Sequence, residues 1–268
     1  MTDHRAPTRP HRGTGRFPAN TFTPDPARAP IGRMIAHQAR IESLLFLRHG
    51  EQQLLSLIIP FLLLVSLTVV PVVDLDNPVD YVFPLTMAIS AMSAGFTGQA
   101  IAVAFDRRYG ALKRIGASGV PAWAIITGKV MGVWGVSVVQ TLILGATALV
   151  LGWRQPPLHV LLGLVVLVIG VACFTALGLL LGGTLSSEIV LALANLIWFL
   201  LAGAAGFALI TSGGQVAVWY HIVPSIALAE GTFTALNGQV PWLDAAILVI
   251  WTILGALAAN RWFSFTMK

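Results

Sequence analysis

The chain has 268 residues, 56% of them apolar and only 10% charged, with a mean hydropathy of +0.82, a formal net charge of +5 and a pI near 10.0. A soluble globular domain carries about 25% charged residues, so this composition excludes an ordinary soluble enzyme, and its hydrophobicity excludes a largely disordered chain. The single cysteine, Cys173, excludes a disulfide scaffold; its place inside an apolar run gives it the character of a small buried thiol.

Residues 1–30 hold six Pro and five Arg with few large apolar groups, which predicts a flexible cytoplasmic tail. From Ile31 the pattern changes. Ile31, Met34, Ile35, Ile41, Leu44 and Leu45 recur at helical spacing while Arg33, His37, Arg40 and Ser43 take other faces, so 31–53 reads as an amphipathic helix on the inner membrane surface followed by a polar elbow at Arg48–Glu51. Residues 54–268 form the membrane domain. About 20 apolar residues span roughly 30 Å of hydrocarbon, and six runs qualify: 54–73, 81–105, 130–153, 158–182, 189–210 and 242–260. The expected fold is therefore all-α and polytopic, with six transmembrane helices.

Positive charge sets the orientation. Residues 1–53 contain eight Arg. The segment after span two adds Arg107, Arg108, Lys113, Arg114 and Lys129, and the C-terminus adds Arg261 and Lys268, whereas the opposite side has only Arg154. Positively charged loops stay inside, so both termini and the N-terminal amphipathic helix are cytoplasmic. The basic balance thus reflects topology and points to no nucleic-acid partner.

Two segments outside the spans are informative. The loop 105–122 interleaves Asp106, Arg107, Arg108, Lys113 and Arg114 with Tyr109, Gly110, Leu112, Ile115 and Gly116, a pattern for a short basic helix across the base of the bundle. The next intracellular loop, 183–188, has no basic residue. On the outer side, 211–241 lacks Lys and Arg yet is rich in Val, Ile and Leu and carries Trp219, Tyr220 and Phe233, which predicts short helices capping the outer face and broken at Pro224 and Gly231. Glu230 lies within it, and as a lone carboxylate reads most simply as solvated.

Several chemistries fail on spacing. Thr127, Gly128 and Lys129 match the end of a phosphate-binding loop, but Trp123 stands where its first glycine belongs and Val130 replaces the hydroxyl that would hold magnesium. Ser137 as an intramembrane nucleophile would need a histidine at its depth, and His159 and His221 fall at or beyond the outer boundary. The six His show no metal-ligand spacing. No Asp, Glu or His stands mid-span to couple transport to an ion gradient. Gln99, Gln140 and Asn195 are the strong polar groups inside spans, suited to a substrate path or to interhelical hydrogen bonds. Gly203–Gly206 would permit close helix approach, and Pro60 would kink span one.

With neither a coupling carboxylate nor a nucleotide site, a transporter of this kind needs energy from another subunit through a cytoplasmic contact. Here the sequence resembles the ABC type-2 transporter permeases, in particular their drug-export branch. Asp106, Arg107, Arg108, Gly110, Lys113, Arg114 and Gly116, followed by Gly128 and Lys129, carry the likeness. Many members have Glu where Asp106 stands and a proline closer to the second basic cluster than Pro121. The resemblance implies an exporter permease of the bacterial cytoplasmic membrane, moving an amphipathic drug, antibiotic, lipid or polyketide-like cargo. It implies that Asp106–Gly110, Lys113, Arg114 and Gly116 dock a separate ATPase, which binds ATP and magnesium while this chain binds no cofactor and is not itself an enzyme. A second permease, identical or paralogous, would complete the unit within membrane lipid; Pro224 and Glu230 would belong to an outer gate. The alternatives from other classes are a membrane assembly or sensory subunit, an intramembrane enzyme and a secondary carrier.

Overall fold

A backbone surrounded by hydrocarbon must satisfy its own polar groups, and in the computed structural model, which describes residues 30–48, 50–70, 77–112, 114, 122–212 and 217–262, every regular element is a helix. In chain order these are α1 (Ile31–Arg48), α2 (Gly50–Gln53), a π-helical segment (Leu54–Ile58), α3 (Ile59–Val69), α4 (Pro78–Met92), a second π-helical segment (Ser93–Gly98), α5 (Gln99–Arg108), α6 (Ala122–Val150), α7 (Pro157–Thr184), α8 (Ser187–Ser212), a 3-10 turn (Val218–Ile222), α9 (Pro224–Leu236) and α10 (Trp242–Trp262).

Five stretches are long and apolar enough to cross a membrane: Pro78–Arg108, Trp123–Val150, Pro157–Thr184, Ser187–Leu209 and Trp242–Trp262. They coincide with the second to sixth expected spans. The first expected span, 54–73, corresponds to a shorter apolar helix, Ser56–Val69. That helix rises only about 21 Å at 1.5 Å per residue. Residues 71–76, the tail 1–29 and the C-terminal 263–268 lie outside the described residues. Helix also extends beyond the predicted borders: α5 takes in Asp106, Arg107 and Arg108, and α6 begins eight residues before the expected start, enclosing Lys129.

The continuous stretch Pro78–Arg108 is the centre of the bundle and mostly buried, whereas Ser187–Leu209 and Trp242–Trp262 are mostly uncovered and turn apolar side chains such as Phe199, Leu200 and Leu257 outward. Against the central helix runs α7, whose glycines form a groove. Leu236 and Leu228 of α9 fill the space over Gly163 and Gly170. Further along, Gly178 and Gly182 meet backbone: a Cβ on Gly178 would stand 2.6 Å from the carbonyl oxygen of Phe96, and one on Gly182 would stand 2.3 Å from that of Ala100. Small residues of this kind let helices approach where hydrophobic transfer gives no drive between apolar surfaces. The expected close approach at Gly203–Gly206 is not found, since nothing lies within 4 Å of a Cβ at Gly203 and only Leu85 lies near one at Gly206. Gly231 is also no helix break. It sits inside α9, pressed against Asp244 and Val166.

The two π-helical segments meet each other. Ser90 Oγ donates to the carbonyl of Ser56 at 2.5 Å, and Gln52 Nε2 donates to the carbonyl of Ser93 at 3.2 Å. A π turn displaces carbonyls from the regular ladder, and here side chains from the partner helix satisfy one carbonyl on each side.

Gly182→Val should destabilise the fold by about 3 kcal/mol or prevent its accumulation, because the clash is with backbone that cannot swing aside. Gly203→Val should leave thermal unfolding in detergent within a degree or two of wild type. Equal behaviour of the two variants in a thermal melt would contradict this packing.

Candidate functional site

The richest polar constellation lies where α1, the end of α5, the start of α6 and the α7–α8 connection come together. It begins with glycines. A Cβ on Gly128 would fall 2.4 Å from Gln38 Cγ, and one on Gly132 would fall 2.7 Å from Glu42 Cβ, so α6 presents a smooth face along which α1 lies in close contact. Ser43 Oγ reaches the carbonyl of Gly132 at 3.0 Å. The amphipathic helix thus forms over the expected residues, but its buried face is taken by α6; Ile41, Leu44 and Leu45 remain about half exposed.

This contact encloses Lys129, which is 2% exposed. Its Nζ lies 2.7 Å from Glu42 Oε1 and 3.0 Å from Asp106 Oδ2, and Gln38 Nε2 donates to the same Glu42 oxygen at 2.9 Å. An ammonium removed from water survives only with paired charge and hydrogen bonds, so the lysine ties α1, α5 and α6 together. Glu42 is the sole acid of α1, which is the signal that could have marked it.

The neighbouring arginines do separate jobs. Arg107, 5% exposed, donates through Nη1 to the carbonyls of Gly182 at 2.7 Å and Leu185 at 2.9 Å. These carbonyls close α7, whose last turn lacks intrahelical donors and carries the negative end of the helix dipole. Burial protects that arrangement from screening by salt and keeps Arg107 from meeting a partner directly. Arg108 turns the other way, to Ser187 Oγ at 3.1 Å and to Glu188 at the start of α8. One residue therefore holds the end of a helix and the next holds the beginning of its successor. The loop 183–188, with no basic residue of its own, borrows both.

Tyr109 follows, 65% exposed, with Arg108 6.0 Å above its ring. Gly110 adopts φ +68°, the left-handed conformation that ends a helix and that glycine takes without strain. Arg114, exposed, donates to the carbonyl of Tyr109 at 3.1 Å. Leu112 is buried in a small apolar cluster with Val103, Ile125 and Leu179. Lys113 and Gly116 lie outside the described residues, as does the rest of 115–121. The structure thus brings Asp106, Arg107, Arg108, Tyr109, Gly110 and Arg114 into one place, and adds Glu42, Lys129, Ser187 and Glu188.

The polar residues expected to line a path do not converge on one cavity. Gln140, 3% exposed, lines a small cavity between α4, α6 and α7; Gln99, also 3% exposed, and Asn195 do not line it. Asn195 Nδ2 donates back to the carbonyl of Leu191 in its own helix at 2.9 Å. Ser137 lines the same cavity as Gln140, and no histidine does.

At the opposite end Pro224 starts α9, a position where its missing N–H costs nothing. Glu230 is not solvated: it is 2% exposed. Nearby, His221 Nδ1 stands 2.5 Å from Asp244 Oδ1, and Trp251 Nε1 donates to the carbonyl of Ile222 at 2.9 Å, so the 3-10 turn is tied to α10. Burial pushes the Glu230 carboxyl up to about 7, with His221 opposing the rise and Asp244 adding to it.

Residues 49–260 match the family model described as ABC-2 family transporter protein. Comparison with curated proteins and with solved structures gives no match.

Because the folded state holds a proton on Glu230 that the unfolded chain has released, the stability from this group is complete below about pH 4.5 and is lost as pH rises toward 7. Glu230→Gln should therefore flatten the fall in melting temperature between pH 5 and pH 7.5 and leave the variant the more stable at pH 8. A wild-type profile unchanged by the substitution would show that Glu230 is ionised in the fold.

Proposed function

The chain belongs to the ABC-2 family of transporters, and from that membership we propose that it is the permease of an ATP-driven exporter, with an ABC ATPase as its energy-supplying partner. The permease role and the pairing with an ATPase follow from the family. Export of an amphipathic drug, antibiotic, lipid or polyketide-like cargo is our reading of an apolar bundle without a mid-span coupling carboxylate. We place the subunit in a bacterial cytoplasmic membrane with six crossings, both termini inside, and a second permease beside it.

The observation that carries the coupling proposal is the assembly at the end of α5. Tyr109 and Arg114 are exposed there on a turn whose root is clamped by Asp106, Arg107 and Arg108. A partner pushing on Tyr109 and Arg114 acts on a lever whose base is joined to α1, α6, α7 and α8 at once. Motion delivered at that point reaches four elements as one body. ATP and magnesium would be held by the ATPase, and this chain supplies only the surface that receives its movement. On the outer side, α9 with Pro224 and Glu230 would form the gate that yields.

The division of labour between the arginines selects the test variant. Arg108 pairs with Glu188 near water, where an ion pair contributes little to stability, so Arg108→Glu should keep the fold. Arg107→Glu would instead place a carboxylate against carbonyls and is a folding mutation. Purification of the tagged protein from its native membrane in mild detergent, with mass spectrometry of bound proteins, should recover a stoichiometric ABC ATPase. Arg108→Glu together with Arg114→Glu should lower that recovery several-fold at unchanged melting temperature. A folded protein with no ATPase, in repeated preparations, would contradict the permease assignment; unchanged recovery by the variant would contradict only the docking surface.

A further inference from the structure

Of the hydrogen-bonding atoms of the described residues that have no partner in the protein, three lie together inside the membrane-spanning bundle. They are Ser137 Oγ and both amide atoms of Gln140, on side chains 7% and 3% exposed. They lie three residues apart on α6, hence on one face. That face borders a cavity of about 10 Å³ whose other walls include Met87 and Ser90 of α4 and Leu167 of α7. The site is at mid-depth: residue 137 is at the middle of Trp123–Val150, and residue 90 is close to the middle of Pro78–Arg108.

An amide and a hydroxyl left unsatisfied in such surroundings are strongly destabilising, because no water of the bulk can reach them. The space beside them is that of a single water molecule, and a buried water settles where two to four polar partners converge. The donor and acceptor inventory also balances. Ser90 spends its proton on the Ser56 carbonyl, so its oxygen is left to accept. Gln140 offers one carbonyl to accept and an NH₂ to donate, and Ser137 can donate its hydroxyl proton.

We propose that Ser137, Gln140 and Ser90 form a buried binding site for one water molecule, which donates to Ser90 Oγ and the Gln140 carbonyl while accepting from the Gln140 amide and the Ser137 hydroxyl. With it, a chain of hydrogen bonds runs from the Ser56 carbonyl, in the π-helical segment before α3, through Ser90 of α4 to Gln140 and Ser137 of α6. Three helices that share apolar contacts thereby gain a polar cross-link at the centre of the bilayer. Gln140 is then a structural ligand rather than a lone group on a transport path. The inference does not depend on what the protein carries.

Radiolytic hydroxyl-radical footprinting of the full chain in detergent tests it, because ionising a bound water produces the radical in place and oxidises the nearest susceptible side chain. Met87 lines the cavity and is 4% exposed; Met92, on the same helix, is 1% exposed and does not line it. In wild type Met87 should form sulfoxide about tenfold faster than Met92, and Ser137→Ala with Gln140→Leu should bring the two rates together. Equal protection of both methionines in wild type would overturn the proposal, as would undiminished Met87 labelling in the folded double variant. Should that variant not fold, the wild-type ratio of the two rates decides.

Discussion

A lysine ammonium can leave water only if other groups replace it, and Lys129 is nearly sealed off. Its charge is met by Glu42 from α1 and Asp106 from α5, at 2.7 and 3.0 Å. Everything else at this end of the bundle follows from that requirement. Gly128 and Gly132 remove the side chains that would keep α1 away; Gln38 steadies Glu42; and Asp106, drawn to Lys129, fixes the rotation of the last turn of α5. Once that turn is fixed, Arg107 and Arg108 point at the end of α7 and the start of α8. A buried pair of this kind contributes little net stability compared with apolar packing, but it is intolerant of losing one member, which suits a junction that has to keep one geometry.

The rest of the bundle handles polarity differently. Along the spans, several hydroxyl side chains return to their own backbone, as Thr175 does to Val171 and Thr252 to Leu248. Where the regular ladder breaks, at the two π-helical segments, Ser90 and Gln52 reach across to carbonyls on the other helix. The central helix is thus pinned to its neighbour by hydrogen bonds and to α7 by glycine contacts with backbone. At the opposite end a His–Asp contact and the Trp251–Ile222 hydrogen bond tie the 3-10 turn to α10, and the carboxyl of Glu230 is buried in α9.

Much of the architecture was legible because hydrophobic length is a strong signal. The second to sixth spans, the extent of α1 and the proline start of α9 all follow from local pattern. The clamp was only half legible. Arg107 and Arg108 were recognisable as a pair, yet nothing in their adjacency tells that one is buried on helix-ending carbonyls while the other faces an acid. That distinction depends on the rotation of α5 against α7. Glu42 and Glu188 escaped notice since each is a single acid in an otherwise unremarkable stretch, and a charge partner some 80 residues away leaves no local trace. Glu230 read as solvated for a similar reason: it is a lone carboxylate in a segment between two spans, and only the packing of α9 among α4, α7 and α10 removes it from water. The glycines at 203–206 looked like a helix contact by composition, whereas the working ones, at 178 and 182, differ from them only in what they face.

Lys129 is the tie among α1, α5 and α6, and a mutant cycle on unfolding free energy measures it most directly. Lys129→Met alone should cost about 3–5 kcal/mol, because it leaves two carboxylates together without their cation. Adding Glu42→Gln and Asp106→Asn to it should restore most of that loss, giving a strongly non-additive cycle. If Lys129→Met is tolerated, and the three substitutions simply add, the buried charge does not organise this end of the molecule.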